Sequence, residues 1–413
     1  MTRLTRAACA ALDADDPLAP FREEFHLPDG VIYLDGNSLG PLPKATPERL
    51  RQAVAQEWGT GLIRSWNDAG WIDLPFSLGD RIGRLIGAGP GTVAVADSTS
   101  VNVFKQLAAA LTLRPGRRVI VSEATNFPTD LYMAQGLAAL LDRGHELRLV
   151  TAEQVPAALG PDVAVVMLTH VDYRTGAMHD MASVTRAVHG AGALMLWDLA
   201  HSAGAVPVDL DGAGADLAIG CGYKFLNGGP GAPAFLYVSE ALQETYRQPL
   251  TGWLGHADPF AFEPGYRPAA GIARATTGTP PILAMRALEV GVDQMLRAPL
   301  AALRAKSLAL AETFMAAVAQ EAGEYGFRLL TPADPARRGS QVSYAHEGGY
   351  AIMQALIARG VIGDFRAPDI LRFGLCPLYV RHADIWDAVQ ALVSVMRSGE
   401  WQDSRFARRG KVT

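Results

Sequence analysis

Short apolar runs alternate with amphipathic stretches through the middle of the chain. TVAVAD (92–97), RRVIVSE (117–123), ELRLV (146–150), DVAVVML (162–168), ALMLWD (193–198) and APAFLYV (232–238) are each too short for a typical helix. A shorter run, DLAIGCGY (216–223), precedes Lys224. Continuous apolar runs of this length predict strands buried on both faces. Between them, Val101–Leu113, Asp130–Arg143 and Met181–His189 have the spacing of amphipathic helices. Strand–helix alternation predicts an α/β architecture, a mostly parallel sheet covered by helices. Ligands of such sheets sit beyond the carboxyl ends of the strands.

From about Pro281 the texture changes to long Ala- and Leu-rich helices, Ile282–Met295 and Leu300–Glu321, then a smaller α+β region ending in a helix near Ala383–Arg397. The pattern divides the chain into an N-terminal segment (1–60), a large domain (61–280) and a small C-terminal domain (281–413). The helix after Pro280-Pro281 joins the last two. The closing RFARRGKVT reads as a frayed basic tail.

Bulk properties narrow the function classes. A chain of 413 residues, 49% hydrophobic and 19% charged, can bury a large core in two packed domains. A net charge of −5 gives no footprint for nucleic acid or an anionic membrane. No run approaches a membrane span, and the first residues carry no sustained apolar stretch. Cys9, Cys221 and Cys376 are widely spaced and form no CxxC, so neither a disulfide framework, a zinc site nor any other metal is expected. A reducing cytoplasm fits.

Candidate chemistry gathers at predicted strand ends. Asp198 ends one apolar run and Lys224 follows another, before the glycine-rich NGGPG turn. A carboxylate and a primary amine delivered to one crevice suit pyridoxal phosphate. The amine forms a Schiff base with the aldehyde, and the carboxylate keeps the ring nitrogen protonated. A strand-end aspartate and a surface lysine are the plainer alternative. DSTSVNVFK (97–105) offers hydroxyls and a helix N-terminus to a phosphate, or simply a helix cap. In NFPTDLY (126–132), Phe127 could stack on a flat ring and Asp130 could cap or contact the site; a buried Phe beside an N-cap residue is the competing account.

His201 could pack over the ring or support Asp198, and Tyr223 could hold phosphate or donate a proton; both could equally be structural. Arg372, expected at a strand end in the small domain, could clamp an α-carboxylate by two hydrogen bonds or lie at the surface. YLDGNSLGPLP (33–43) is turn-dense and permits close backbone approach, and ATTGTPPILAMRALE (275–289) places hydroxyls before a proline-started helix.

Together NSLG, STSVN, FPTD, DLAH, YKFLNGGPG, GWLGH (252–256) and GTPPIL, in this order over most of the chain, resemble the kynureninase family. The resemblance implies an aspartate-aminotransferase-like fold of type I, pyridoxal 5′-phosphate as cofactor, and hydrolytic cleavage of L-kynurenine to anthranilate and L-alanine. It implies that Lys224 carries the cofactor and removes the α-proton, that Asp198 pairs with the ring nitrogen, and that Phe127 stacks, with Asp130, Thr169 and His201 nearby. Thr99, Ser100 and Tyr223 would meet the phosphate. Trp253 and Thr279 would be supplied to it by the neighbouring subunit, which implies a homodimer with shared sites. Arg372 would be the carboxylate clamp and Ser38 part of the substrate pocket. Gly278-Thr279 replaces the Ser-Asn of the vertebrate pattern, and Trp66 stands within the segment where that pattern has a histidine. Both departures are similar to the bacterial form, which favours L-kynurenine over its 3-hydroxy derivative.

Rival readings are a cysteine desulfurase, which needs a mobile nucleophilic cysteine, an aminotransferase, and a catalytically silent regulator on the same fold. A silent regulator would be expected to lack Lys224, Asp198 or Arg372, all of which are present.

Overall fold

Each apolar run of the middle section becomes a strand of one seven-stranded sheet. In the computed structural model, which describes residues 3–410, the strands are Val93–Val95 (β1), Val119–Glu123 (β2), Glu146–Val150 (β3), Val163–Thr169 (β4), Leu194–Asp198 (β5), Leu217–Cys221 (β6) and Ala234–Val238 (β7). Their spatial order is β1-β7-β6-β5-β4-β2-β3. Only β7 runs against its neighbours; the remaining pairs are parallel.

The strands are apolar throughout because both faces are covered. Leu194 and Leu196 of β5 pack into one core cluster with Val103, Leu107 and Leu137. Met195 and Trp197, on the opposite face by the two-residue period, join the other cluster. The helices Thr99–Leu113 (α1) and Pro128–Leu141 (α2) lie over the first face. α1 begins where the Ser98 side chain accepts from the Val101 N–H. α2 begins at Pro128, two residues before the expected Asp130. A proline fits the first helical position, where its missing N–H would have no partner anyway.

Beyond Pro281, two long helices, Ile282–Arg297 (α3) and Leu300–Glu321 (α4), lead into a four-stranded antiparallel sheet. Its strands are Arg328–Leu329 (β8), Gln341–Ala345 (β9), Asp364–Arg366 (β10) and Ile370–Gly374 (β11), in the order β10-β11-β9-β8. The N-terminal segment is tied to this region. Ile32–Tyr33 pairs in parallel with Val361–Ile362, and Asp13 accepts the N–H groups of His382 and Ala383 that open the final long helix, His382–Ser398 (α5).

The frayed tail is a correction. Ser404–Ala407 forms a short helix, Phe406 is buried, and the Gly410 N–H donates to the Tyr350 hydroxyl. The reason is apolar: Phe406 joins the core cluster that contains Ile352 and Leu356. Lys411, Val412 and Thr413 lie outside the described residues. Among the described residues no helix is long and apolar enough to cross a membrane.

Candidate active site

The parallel strands β4, β5 and β6 all end at one crevice. Asp198 is the last residue of β5 and sits beside Thr169, the last of β4. Lys224 follows β6 by three residues. The turn that carries it is pressed against the N-terminal segment, where the Gly40 N–H donates to the Tyr223 carbonyl at 2.8 Å. A Cβ at Gly40 would lie 2.5 Å from the Lys224 carbonyl oxygen, so only glycine fits there.

One cavity is lined by Thr99, Ser100, Phe127, Asp130, Thr169, Asp198, His201, Tyr223 and Lys224, nine of the positions singled out in the sequence. Phe127 is 41% exposed, so it is not the buried phenylalanine of the alternative account. Asp130 is buried in the first turn of α2 rather than at its cap.

Asp198 is fixed by the Ala200 N–H on Oδ1 at 2.8 Å and by the Thr169 hydroxyl, 3.2 Å from Oδ2. The Thr169 hydroxyl also meets Asn126 Oδ1, and the Asn126 amide donates to the Ser122 hydroxyl at 3.1 Å. Burial pushes Asp198 above the usual carboxylate range, opposed by the charge of Lys224 and these two hydrogen bonds. Asp130 is pushed well above that range by burial and then by the charge of Asp198. His201, 3.0 Å from Lys224 Nζ through Nε2, is held neutral by burial and then by the charge of Lys224.

These groups fit pyridoxal phosphate. Asp130 Oδ2 is buried and accepts no hydrogen bond from the described residues. Two carboxylates facing one crevice leave room for a single cationic ring N–H, which would lower the cost of keeping them charged. Across the cavity, α1 turns its N-terminus and the hydroxyls of Thr99 and Ser100 toward the same space. The loop before α1 is held by Lys105, fully buried, whose Nζ is 2.6 Å from Asp97 Oδ2. Asp97 itself adopts φ +52°, a conformation that this ion pair helps to retain.

Arg372 lies in the middle of β11, not at a strand end as expected. It does not line the cavity and meets it only through Tyr173. Its Nη1 donates to the Tyr173 carbonyl at 2.5 Å and its Nη2 to the Ser38 hydroxyl at 3.1 Å and to Asp364. Tyr173 lines the cavity and meets the Phe127 ring edge-on at 5.3 Å.

Ser38 does not line the cavity either and is joined to Arg372 and Asp364. Four further positions, Trp66, Trp253, Gly278 and Thr279, are not brought to the cavity by this chain. Trp66 and Trp253 pack on each other, centroids 6.1 Å apart, and Trp253 also meets Phe260. Gly278 and Thr279 line a separate small cleft with Leu254 and Asp97. Tyr173, Asn126, Lys105 and Asp364 were missed in the sequence. Tyr173 lies just past the end of β4, so the strand-end rule could have found it. Nothing local marks Asp364.

Asp35, beside this cluster, is pushed up to about 7 by burial and then by the charge of Asp364. Its folded-state pKa therefore exceeds the unfolded value of ~3.9. The folded chain binds the extra proton between these values, so stability falls as pH rises from about 4 to about 7. Asp35→Asn should flatten that fall and leave the variant more stable by a few kcal/mol, on the order of magnitude that linkage gives, at about pH 8. Urea unfolding of both proteins at about pH 4 and about pH 8 checks it; equal slopes would remove the assignment.

None of the three cysteines lines the cavity, and all are buried; burial holds Cys376 up at about 11. That chemistry does not suit a desulfurase. Among solved structures, an apo cysteine desulfurase from Thermococcus onnurineus superposes with TM-score 0.78 at 18% identity, over 92% of this chain and 97% of that one. At that identity the likeness shows the shared type I fold of pyridoxal phosphate enzymes and no more. Residues 303–392 match the family model of the kynureninase C-terminal domain. The chain is 56% identical to a kynureninase of Burkholderia pseudomallei over 414 aligned residues, covering 99% of this chain and all of the other. It is 55% identical, with the same coverage, to a kynureninase of Pseudomonas fluorescens. Full-length identity at this level leaves one assignment, and the chain belongs to the kynureninase family.

Proposed function

We propose that this chain hydrolyses L-kynurenine at its Cβ–Cγ bond, consuming one water and releasing anthranilate and L-alanine, with pyridoxal 5′-phosphate bound at Lys224. The observation that carries the reading is the convergence of Lys224 and Asp198 on one cavity that Tyr173 connects to Arg372. When bound, the cofactor supplies an electron sink for negative charge developing at the substrate's Cα and Cβ.

The protein's own groups do the rest. Asp198 keeps a proton on the ring nitrogen, and its two hydrogen bonds hold it in register for that task. Phe127 would cover the cofactor's ring, with Asp130 and His201 completing the surround. Thr99, Ser100 and the Tyr223 hydroxyl would hold its phosphate. The Lys224 amine removes the proton from Cα. Arg372 and Ser38 fix the α-carboxylate, which orients that C–H bond toward Lys224. Burial raises Tyr223, so its hydroxyl stays protonated and can donate toward the carbonyl and Cβ as the carbon–carbon bond breaks.

Two copies form a homodimer in which Trp253 and Thr279 of one chain reach the phosphate of the other. Neither lines the Lys224 cavity of its own chain, which supports this reading, and Trp66 packs on Trp253. Trp66 and Gly278 then border the substrate's aromatic ring and favour L-kynurenine over its 3-hydroxy derivative. The three buried thiols suit a cytoplasmic protein.

Anthranilate fluorescence, followed with L-kynurenine and with 3-hydroxykynurenine, tests the activity. Release from neither would refute it. Tyr223→Phe should lower kcat by roughly 10- to 100-fold, at the low end of acid–base effects. Unchanged turnover in that variant would remove the role given to Tyr223.

A further inference from the structure

The carboxylate cluster contains a second guanidinium that the reading so far leaves idle. Asp364 and Arg372 are directly paired across the antiparallel strands β10 and β11, so their side chains share a face. Arg366 is two residues beyond Asp364 on β10 and therefore projects to that same face. Asp364 bridges the two arginines. Its Oδ1 accepts from Arg366 Nη1 at 2.7 Å, and its Oδ2 accepts from Arg372 Nη2 and from the Ser38 hydroxyl at 2.8 Å. Arg372 and Asp364 are almost fully buried, while the Arg366 side chain is 34% exposed.

The charges do not balance within the cluster. One bridging carboxylate serves two guanidiniums, and Asp35, pushed up to about 7, is mostly protonated below that pH. One positive charge is left over. Arg372 Nε is also buried without a hydrogen-bond partner among the described residues. The pair meets the cavity through Tyr173, which lines it and whose carbonyl accepts from Arg372 Nη1. An arriving α-carboxylate would neutralise the surplus without displacing Asp364.

We propose that Arg366 is the second cation of the subsite for the substrate's α-carboxylate, coupled to Arg372 through the bridging carboxylate of Asp364. The inference rests on the reading of Arg372 as the carboxylate clamp. Arg366 acts on affinity and not on the bond-breaking steps, because it is tied to Asp364 and does not line the cavity that holds Lys224.

The test uses the cofactor-loaded enzyme. Arg366→Ala should raise KM for L-kynurenine about five-fold and leave kcat within about two-fold, as expected for loss of a partly exposed ionic contact. Arg366→Lys should recover part of the affinity. An amine analogue of the substrate lacking the α-carboxylate should inhibit Arg366→Ala and the wild-type enzyme equally. Unchanged KM in Arg366→Ala, or an equal loss of affinity for the carboxylate-free analogue, would overturn the proposal. Arg372→Ala is run beside it. An impaired Arg372→Ala with a normal Arg366→Ala refutes the second cation alone, a normal Arg372→Ala refutes the clamp, and no anthranilate from the wild type refutes the activity.

Discussion

Lys224→Ala is expected to lower anthranilate release by at least ~10³-fold, the upper part of the range for a lost general base. The loss exceeds that of an ordinary base because the residue has two tasks. In the proposed function its amine both anchors the cofactor covalently and takes the α-proton, and no second amine lines the cavity to replace it. Lys105, in the helix that begins at Thr99, is fully buried and paired with Asp97. Borohydride reduction followed by intact mass reads the anchor separately from turnover. Wild type should gain the cofactor's mass, and the alanine variant should not. Retention of a tenth of the wild-type rate, or reductive labelling elsewhere on the variant, would count against Lys224.

Asp198→Asn is expected to cost roughly 10²- to 10³-fold in kcat, about 3–4 kcal/mol of transition-state stabilisation. An amide keeps the shape and can still accept the Ala200 N–H, so the site's geometry should survive. It cannot hold a positive ring nitrogen, so the electron sink weakens just where charge develops. The substitution has a second consequence through Asp130, which is pushed up partly by the charge of Asp198. With that charge gone, Asp130 should titrate lower, and the pH profile of the variant should change shape and not only height. Stopped-flow absorbance with kcat over a range of pH measures both. A variant within about ten-fold of wild type would show that the ring nitrogen does not depend on Asp198.

The strands were legible in the sequence because burial on both sheet faces leaves long apolar runs, as at Val163–Thr169 and Leu194–Asp198. Helix positions were legible from periodicity, and the error at α2 lay in one detail, the proline at its first turn. The frayed tail was misread because a single Phe406 gives no periodic signal. Only the presence of an apolar cluster elsewhere in the fold decides whether such a residue docks.

The same division runs through the active site. Sequence alone offered Asp198 and Lys224 as a candidate pair, with hydroxyl and aromatic residues beside them, because parallel strands deliver their last residues to one edge. The small-domain half was decided by tertiary structure. Ser38, Tyr173, Asp364 and Arg372 come from four separate segments, and their hydrogen bonds exist only because β10 pairs with β11 and the Arg372 side chain meets the Tyr173 carbonyl and Ser38. Tertiary structure also leaves Trp66, Trp253, Gly278 and Thr279 out of the lining of the Lys224 cavity within one chain. Cross-strand pairing and domain packing join residues with no fixed spacing in sequence, so only the folded chain determines which side chains meet.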